Sequence, residues 1–442
     1  VTSEPLLWLD ALQGSGIRPG LSRMRALLRE LGNPERACPS IIVAGTNGKG
    51  STSSTLASIL NASGYRTALY TSPHLVELRE RWMIGGSMIS SEMLGIAIEK
   101  LRVAADRAGI VPTYFEALTL LAFIAFADAK CEVMVLEVGM GGRLDATNVV
   151  RPLAALITPI GFDHTEYLGT TIRQIAGEKA GVIHRGAIVL TSNDDPRVLG
   201  VLRHRAAMFG NPFHVVTTTH ATPLAGDFQQ RNAALAVRAA EELRSLLPTR
   251  SAGGPPAGPP PARRHVAENR QRVAGGPADE PSALRAAQIT SESIELGVAT
   301  TRWRGRLEKI ERGGKTIWID GGHNGHAIAA IVPFIAQHVP APRLLVFGIM
   351  SDKNVAEVTS ALFPLFDAII ATEPYPPRSE LASRLVSLAG DRGVAESDPR
   401  TAFERALATD YQSIVIAGSL YLAGAAIEFF SRGGAETRRE EE

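Results

Sequence analysis

Residues 41–54 read IIVAGTNGKGSTSS, and no other stretch constrains the chain as much. Ile41 to Ala44 are apolar and have the length of a buried parallel strand. Gly45-Thr46-Asn47-Gly48-Lys49-Gly50-Ser51 follows, and then a run that can be helical to about Ser63. A strand, a glycine-rich turn and a helix N-terminus together form a phosphate cradle. The glycines let backbone N–H groups approach the anion, and the helix end adds partial positive charge. Lys49 can reach the outer phosphates, and the Ser51 hydroxyl can hold Mg²⁺. The spacing departs from the ordinary Walker A pattern. Only two residues separate Gly45 from Gly48, and Gly50 stands between the lysine and the hydroxyl. A glycine-rich turn without a ligand is the plainer alternative, and the weaker one.

At 442 residues the chain suits two or three domains with ample core. Its net charge of +1 gives no sign of a polyanionic partner, so no nucleic acid is expected. The longest apolar segment, around Ala117 to Ala127, is too short to span a bilayer and reads as a buried helix. The opening VTSEPLLWLD lacks the basic region, apolar core and cleavage site of a signal peptide. Cys38 and Cys131, far apart in sequence, make neither a disulfide framework nor a metal site. They are expected to be structural thiols in a reducing cytoplasm.

Residues 4–31 read as one or two helices broken at Gly14-Ser15-Gly16 and Pro19-Gly20. Strands are expected at Arg66 to Tyr70, Val133 to Val138 and Ala154 to Thr158. Helices are expected at 90–108, from Pro112 to near Ala129, and over 227–247. Pro248 to Pro281, rich in Pro, Gly and Arg, reads as a mobile insertion. A second alternation begins near Thr300, with strands at Thr316 to Ile319, Leu344 to Phe347, Ala368 to Ala371 and Ile414 to Ala417. The predicted fold class is α/β. A P-loop-containing, mainly parallel-sheet ATPase domain covers 1–299. A smaller doubly wound, Rossmann-like α/β domain covers 300–433, and 434–442 form a charged tail. Ligands of such sheets sit at the C-terminal strand ends, where most of the polar clusters fall.

Glu137 closes an apolar strand, where a carboxylate needs a cation; a Walker B-like metal site and an ion pair with Arg143 both answer this. His164 follows another strand beside Asp163, and reads equally as a metal ligand or as a hydrogen-bonding group. Lys179, taken alone, reads as a solvated lysine. Asp320 and His323 follow a strand of the second domain, where a carboxylate can bind ribose hydroxyls. Arg304 and Arg306 can clamp phosphate across a cleft or lie on the surface.

Together these stretches resemble one family. GTNGKGS at 45–51, SPHL at 72–75, LEVGMGGRLDATN at 136–148 and DHTEYLG at 163–169 match folylpolyglutamate and dihydrofolate synthases, of the Mur ligase superfamily. So do GEKAG at 177–181, W-x-G-R at 303–306 and D-x-x-HN at 320–324. The resemblance spans nearly the whole chain apart from the insertion and tail. It implies an ATP- and Mg²⁺-dependent ligase that adds L-glutamate to dihydropteroate or to the γ-carboxylate of a reduced folate. The acceptor carboxylate takes the γ-phosphate of ATP, and the amine of glutamate then displaces phosphate from the acyl phosphate.

Position by position, the resemblance implies phosphate contacts from Thr46, Asn47, Gly48, Lys49, Gly50 and Ser51. Ser51, Glu137 and His164 would hold Mg²⁺, with a monovalent cation as a possible addition. Lys179 would be carboxylated by CO₂. Asn232, Arg306 and Asp320 would contact the nucleotide, with His323 beside the phosphates or reacting centre. The pterin side would use Gly20, Leu21, Ser22 and Arg23, with Thr113, Tyr114, Phe115 and Glu116, and Leu144, Asp145 and Ala146. Ser72, Pro73 and His74 would shape that pocket, and a monomer is expected. The chain departs from the family at Gly322, where alanine is usual, at Gly325, often proline, and at Arg304, commonly proline. A Mur-type ligase for a UDP-linked peptidoglycan precursor is the alternative, disfavoured because no separate UDP-binding domain precedes Gly45. A non-catalytic nucleotide-binding regulator is disfavoured by the intact Lys49, Ser51, Glu137, His164 and Asp320.

Overall fold

The apolar quartet ahead of the glycine-rich loop becomes the interior strand of a large sheet. The computed structural model describes residues 4–16, 18–250 and 286–436, with backbone alone for 432–436. The first sheet comprises β1 (Ser40–Ala44), β2 (Thr67–Tyr70), β3 (Trp82–Ile84), β4 (Ser87–Met88), β5 (Val133–Glu137), β6 (Ala154–Ile157), β7 (Ile188–Thr191) and β8 (Phe213–Val215). Their order is β4-β3-β2-β5-β1-β6-β7-β8, and only the β2–β3–β4 edge is antiparallel. Every residue of β1, β5 and β6 is buried, as strands covered on both faces require. Register places Val43 beside Glu137 and Ala44 beside Ile157. The loops that follow β1, β5 and β6 therefore emerge side by side.

One face of this sheet carries the helices Ser22–Glu30, Ser91–Ala108 and Tyr114–Asp128. The last is apolar all round, with Phe123 and Phe126 fully buried. It starts sharply because Thr113 and Glu116 form a reciprocal capping box. The other face carries Lys49–Ala62, Asp227–Leu243 and Ser291–Ala299. Cys38 and Cys131 are both free and buried.

The second sheet comprises β9 (Glu308–Arg312), β10 (Lys315–Ile319), β11 (Arg343–Phe347), β12 (Ala368–Ala371), β13 (Gly393–Ala395) and β14 (Ser413–Ala417). Their order is β13-β12-β11-β14-β10-β9, parallel except for the β9–β10 hairpin. Among the described residues no helix is long and apolar enough to cross a membrane.

Six strands go beyond those expected: β3, β4, β7, β8, β9 and β13. Most are short or at an edge. β9 reads EKIER, whose charged side chains suit an exposed edge and conceal the strand from a search for apolar runs. The expected insertion also starts later than Pro248. Arg250 pairs with Glu132, both side chains being buried, and Arg250 and Ala287 exchange backbone hydrogen bonds. The rest of the expected insertion, and the tail from 437, lie outside the described residues.

Candidate active site

Gly45 to Ser51 leave β1 and enter the helix Lys49–Ala62. The loop is pinned on both sides. Thr46 N–H donates to Pro159 O at 3.0 Å, and Thr46 Oγ1 donates to Gly161 O at 3.0 Å. Gly48 has φ +86°, and a Cβ there would lie 2.4 Å from Asn232 Oδ1. The unusual Gly50 has a separate cause. A Cβ at Gly50 would lie 2.6 Å from Cζ2 of Trp303, so this indole, near the start of the second domain, covers the first turn of the helix Lys49–Ala62. The hydroxyl-bearing Ser51 is buried in that same turn.

Three ionisable groups crowd this loop. Lys49 Nζ donates to Thr46 O at 3.0 Å. Glu137 is 4% exposed and accepts the Ser72 N–H at 3.1 Å. Burial pushes the Glu137 carboxyl above its usual range, against the opposing pull of Lys49. The ion pair with Arg143 does not form, because Arg143 is engaged by Glu178 at 2.8 Å. Lys179, expected from local sequence to be solvated, is instead 4% exposed and donates to Gly45 O at 2.7 Å. Burial first, then Lys49, lowers its pKa to about 7. It sits inside because the glycine-rich loop after β5 packs on the helix Ile172–Ala180, with Arg143 N–H donating to Glu178 O at 2.8 Å.

The second sheet supplies the opposite wall. Asp320, at the end of β10, accepts Gly322 N–H at 2.7 Å and Leu307 N–H at 2.9 Å. It thereby fixes the turn beside Arg306, whose charge opposes the upward push of burial on this carboxyl. His323 Nδ1 lies 2.9 Å from Gly321 O. Burial, then Lys353, lowers its pKa to about 4, so the ring is neutral at pH 7 and Nδ1 carries the proton toward that carbonyl. Asn324 caps the helix Gly325–His338 and exchanges two hydrogen bonds with Asn47, at 3.0 and 3.2 Å. A Cβ at Gly325 would strike Glu357 Oε1, so glycine there admits that carboxylate to the helix start.

Between the walls lies a cavity of about 660 Å³. It is lined by the loop 45–51, Ser72, Pro73, Glu137, His164, Lys179 and Asn232 from the first domain, and by Arg306, Asp320 and His323 from the second. His164 has a side chain 38% exposed, 3.9 Å from Asp163 Oδ1. Of the residues expected on the pterin side, Ser72 and Pro73 line this cavity and the others lie outside its lining. Arg23 Nε donates to Glu116 Oε2 at 3.1 Å, which joins the Gly20–Arg23 turn to the capping box. Phe115 packs against Gly139, and Tyr114 N–H bonds Ser15 Oγ at 3.0 Å. Asp145 folds its own loop, accepting Met140 N–H and Thr147 N–H, each at 3.0 Å. Leu144 is exposed and Ala146 buried. His74 Nδ1 accepts from Arg81 Nε at 2.9 Å.

The expected list omitted Lys353 and treated Asp163 only as a neighbour of His164. Lys353 lies in SDKN, in the loop after β11, and a search of strand-end loops like that applied to β10 would have found it. Among the described residues no group of three or more His, Cys, Asp or Glu side chains is placed to hold a metal. Ser51 and Glu137 still suit Mg²⁺, which takes oxygen ligands and keeps waters and substrate phosphates in its shell.

Residues 43–214 match the Mur ligase middle domain, and 305–420 match the glutamate ligase domain of Mur ligases. The dihydrofolate synthase/folylpolyglutamate synthase of Bacillus subtilis is 30% identical, over 94% of this chain and 95% of its own. The chain belongs to that family. It is a Mur-type, ATP-dependent ligase. Its likeness extends to solved structures. A Mycobacterium tuberculosis folylpolyglutamate synthase, crystallised with ADP and AMPPCP, superposes with a TM-score of 0.80 at 31% identity, covering 96% of this chain and 98% of that one. Escherichia coli FolC in complex with DHPP and ADP gives 0.81 at 26% identity, covering 98% of each.

Proposed function

We propose that this ligase joins L-glutamate to dihydropteroate, or to the γ-carboxylate of a reduced folate, with ATP cleaved to ADP and phosphate. The observation that carries the reading is the single cavity in which the phosphate loop, Glu137 and Lys179 face Arg306, Asp320 and His323. A carboxylate and a triphosphate repel each other, and the cationic groups at both walls offset that repulsion. Lys49 and the N–H groups of 48–51 bind the phosphates. Ser51 and Glu137 would hold Mg²⁺, supported by His164, and the ion would neutralise charge on the transferred phosphoryl group. Asn232 and Arg306 contact the nucleotide. Asp320 fixes the turn and keeps lone pairs for the ribose. Neutral His323 stands beside the reacting centre without adding charge.

The acceptor carboxylate attacks the γ-phosphorus, giving an acyl phosphate and ADP. The amine of glutamate then attacks the acyl carbon, and phosphate leaves. The pterin end lies along Gly20–Arg23, Thr113–Glu116 and Leu144–Ala146, with Ser72 to His74 between it and the loop. Lys179, with its pKa lowered to about 7, offers a fraction of neutral amine near neutral pH that CO₂ can carboxylate; the carbamate would place an anion beside the loop. We place the reaction in the cytoplasm and assign it to a monomer of two domains, divided near 299. The test supplies ATP, Mg²⁺ and labelled glutamate with dihydropteroate, tetrahydrofolate or a UDP-muramyl peptide. Label is expected in the first or second product. Label in the third alone would replace this reading with a peptidoglycan one.

A further inference from the structure

Asp163 lies in the loop after β6 in the first domain, yet both side chains that hydrogen-bond its carboxylate belong to the second. Lys353 Nζ donates to Asp163 Oδ1 at 2.9 Å, and Asn324 Nδ2 donates to Asp163 Oδ2 at 2.9 Å. The ion pair is sheltered, with the Lys353 and Asp163 side chains 10% and 12% exposed. Asn324 in turn uses every hydrogen-bonding position of its amide. Its nitrogen serves Asp163 and Asn47 Oδ1, and its oxygen accepts from Asn47 Nδ2 and from Ala327 N–H. One continuous polar chain thus runs from Lys353 through Asp163 and Asn324 to Asn47 in the phosphate loop. His323 Nε2 lies 3.8 Å from the same carboxylate.

We infer that Asp163 is a positioning residue for the ligase reaction: it holds Lys353 at the cavity wall and registers the second domain on the phosphate loop through Asn324. The proposal rests on the ligase reading above. Lys353 lines the cavity with Lys49, Lys179 and Arg306, so the carboxylate fixes a cation that faces the phosphates. Asp163 touches no reacting atom in this assignment. Its effect is on how often both walls are aligned when substrates are bound.

The test compares D163N, K353Q and the double variant with the wild type. D163N keeps the shape, removes the charge and leaves one acceptor where Asp163 has two, so it cannot hold both Lys353 and Asn324. Its kcat should fall about 10- to 100-fold, while ADP affinity stays within about threefold, because the phosphate loop itself is intact. The double variant should be no slower than the slower single variant, since both break one pair. A purely structural role would lower the melting temperature and leave kcat per folded molecule unchanged. That result, or losses that multiply in the double variant, would overturn the proposal. A second readout is independent of turnover. Both native cysteines are buried, so spin labels at R107C and S387C report the distance between domains. D163N should broaden that distance distribution in the nucleotide-free protein, and an unchanged distribution would refute the registering role. Absence of ligation by the wild type would refute the ligase reading alone, leaving the label experiment to decide this one.

Discussion

Lys179 offers the most quantitative test of the site. Its ordinary pKa of 10.5 falls to about 7 because the ammonium is buried beside Lys49. Below about pH 7 the lysine is charged in both folded and unfolded chains, and the full cost of burying that charge is present. Between about pH 7 and 10.4 the unfolded chain keeps a proton that the folded chain has released, so stability rises with pH. Each pH unit within that window is worth about 1.4 kcal/mol, and the whole shift sets a ceiling of about 5 kcal/mol. Lys179→Met keeps an unbranched apolar stem and removes the titration. Urea unfolding of both proteins in CO₂-free buffer, at about pH 7.5, 8.5 and 9.5, measures the difference. The wild type should gain on the variant with rising pH, and the variant should be the more stable at pH 7. Bicarbonate should stabilise the wild type and not the variant, because only a lysine amine can be carboxylated. Parallel pH profiles would show that Lys179 titrates normally, and the burial argument would fall with them.

Gly50→Ala should destabilise the protein by about 1–3 kcal/mol, because its Cβ meets the Trp303 ring at 2.6 Å. Denaturant unfolding of G50A, W303A and the pair should show the second change relieving the first. Glu137→Gln retains an acceptor for the Ser72 N–H but removes the charge. Its turnover should fall at least about 100-fold, with little change in melting temperature, as followed by steady-state kinetics across a Mg²⁺ titration. Arg250→Ala strands the buried Glu132 and should cost about 3–5 kcal/mol of stability, with activity per folded molecule unchanged.

Much of the fold was legible because buried parallel strands carry apolar runs with polar loops at one end. SIIVA, VMVLE and SIVIA stand out for that reason. β9 did not, since an edge strand such as EKIER can be charged along most of its length. The strand, glycine-rich turn and helix of 40–62 could be read locally, because their glycines and apolar run lie close in sequence. Lys179 could not. Its burial depends on the loop after β5 folding over its helix, a contact with no local signature. Lys353 and Asp163 are 190 positions apart in sequence. Each looks like an ordinary turn residue until two domains meet. Gly50 was visible as an anomaly, but its reason lay in an indole from the domain junction.

The exchange of hydrogen bonds between Arg250 and Ala287 carries a consequence for how the chain can vary. The two strands of backbone meet at Gly64 and Glu132, at the ends of the β2 and β5 region opposite the phosphate loop. Chain leaving at 250 and returning at 287 passes through one doorway, whose frame is closed by its own hydrogen bonds. The frame of that doorway is thus anchored at the far end of the sheet from Lys49 and Glu137, by contacts that neither of those two residues shares.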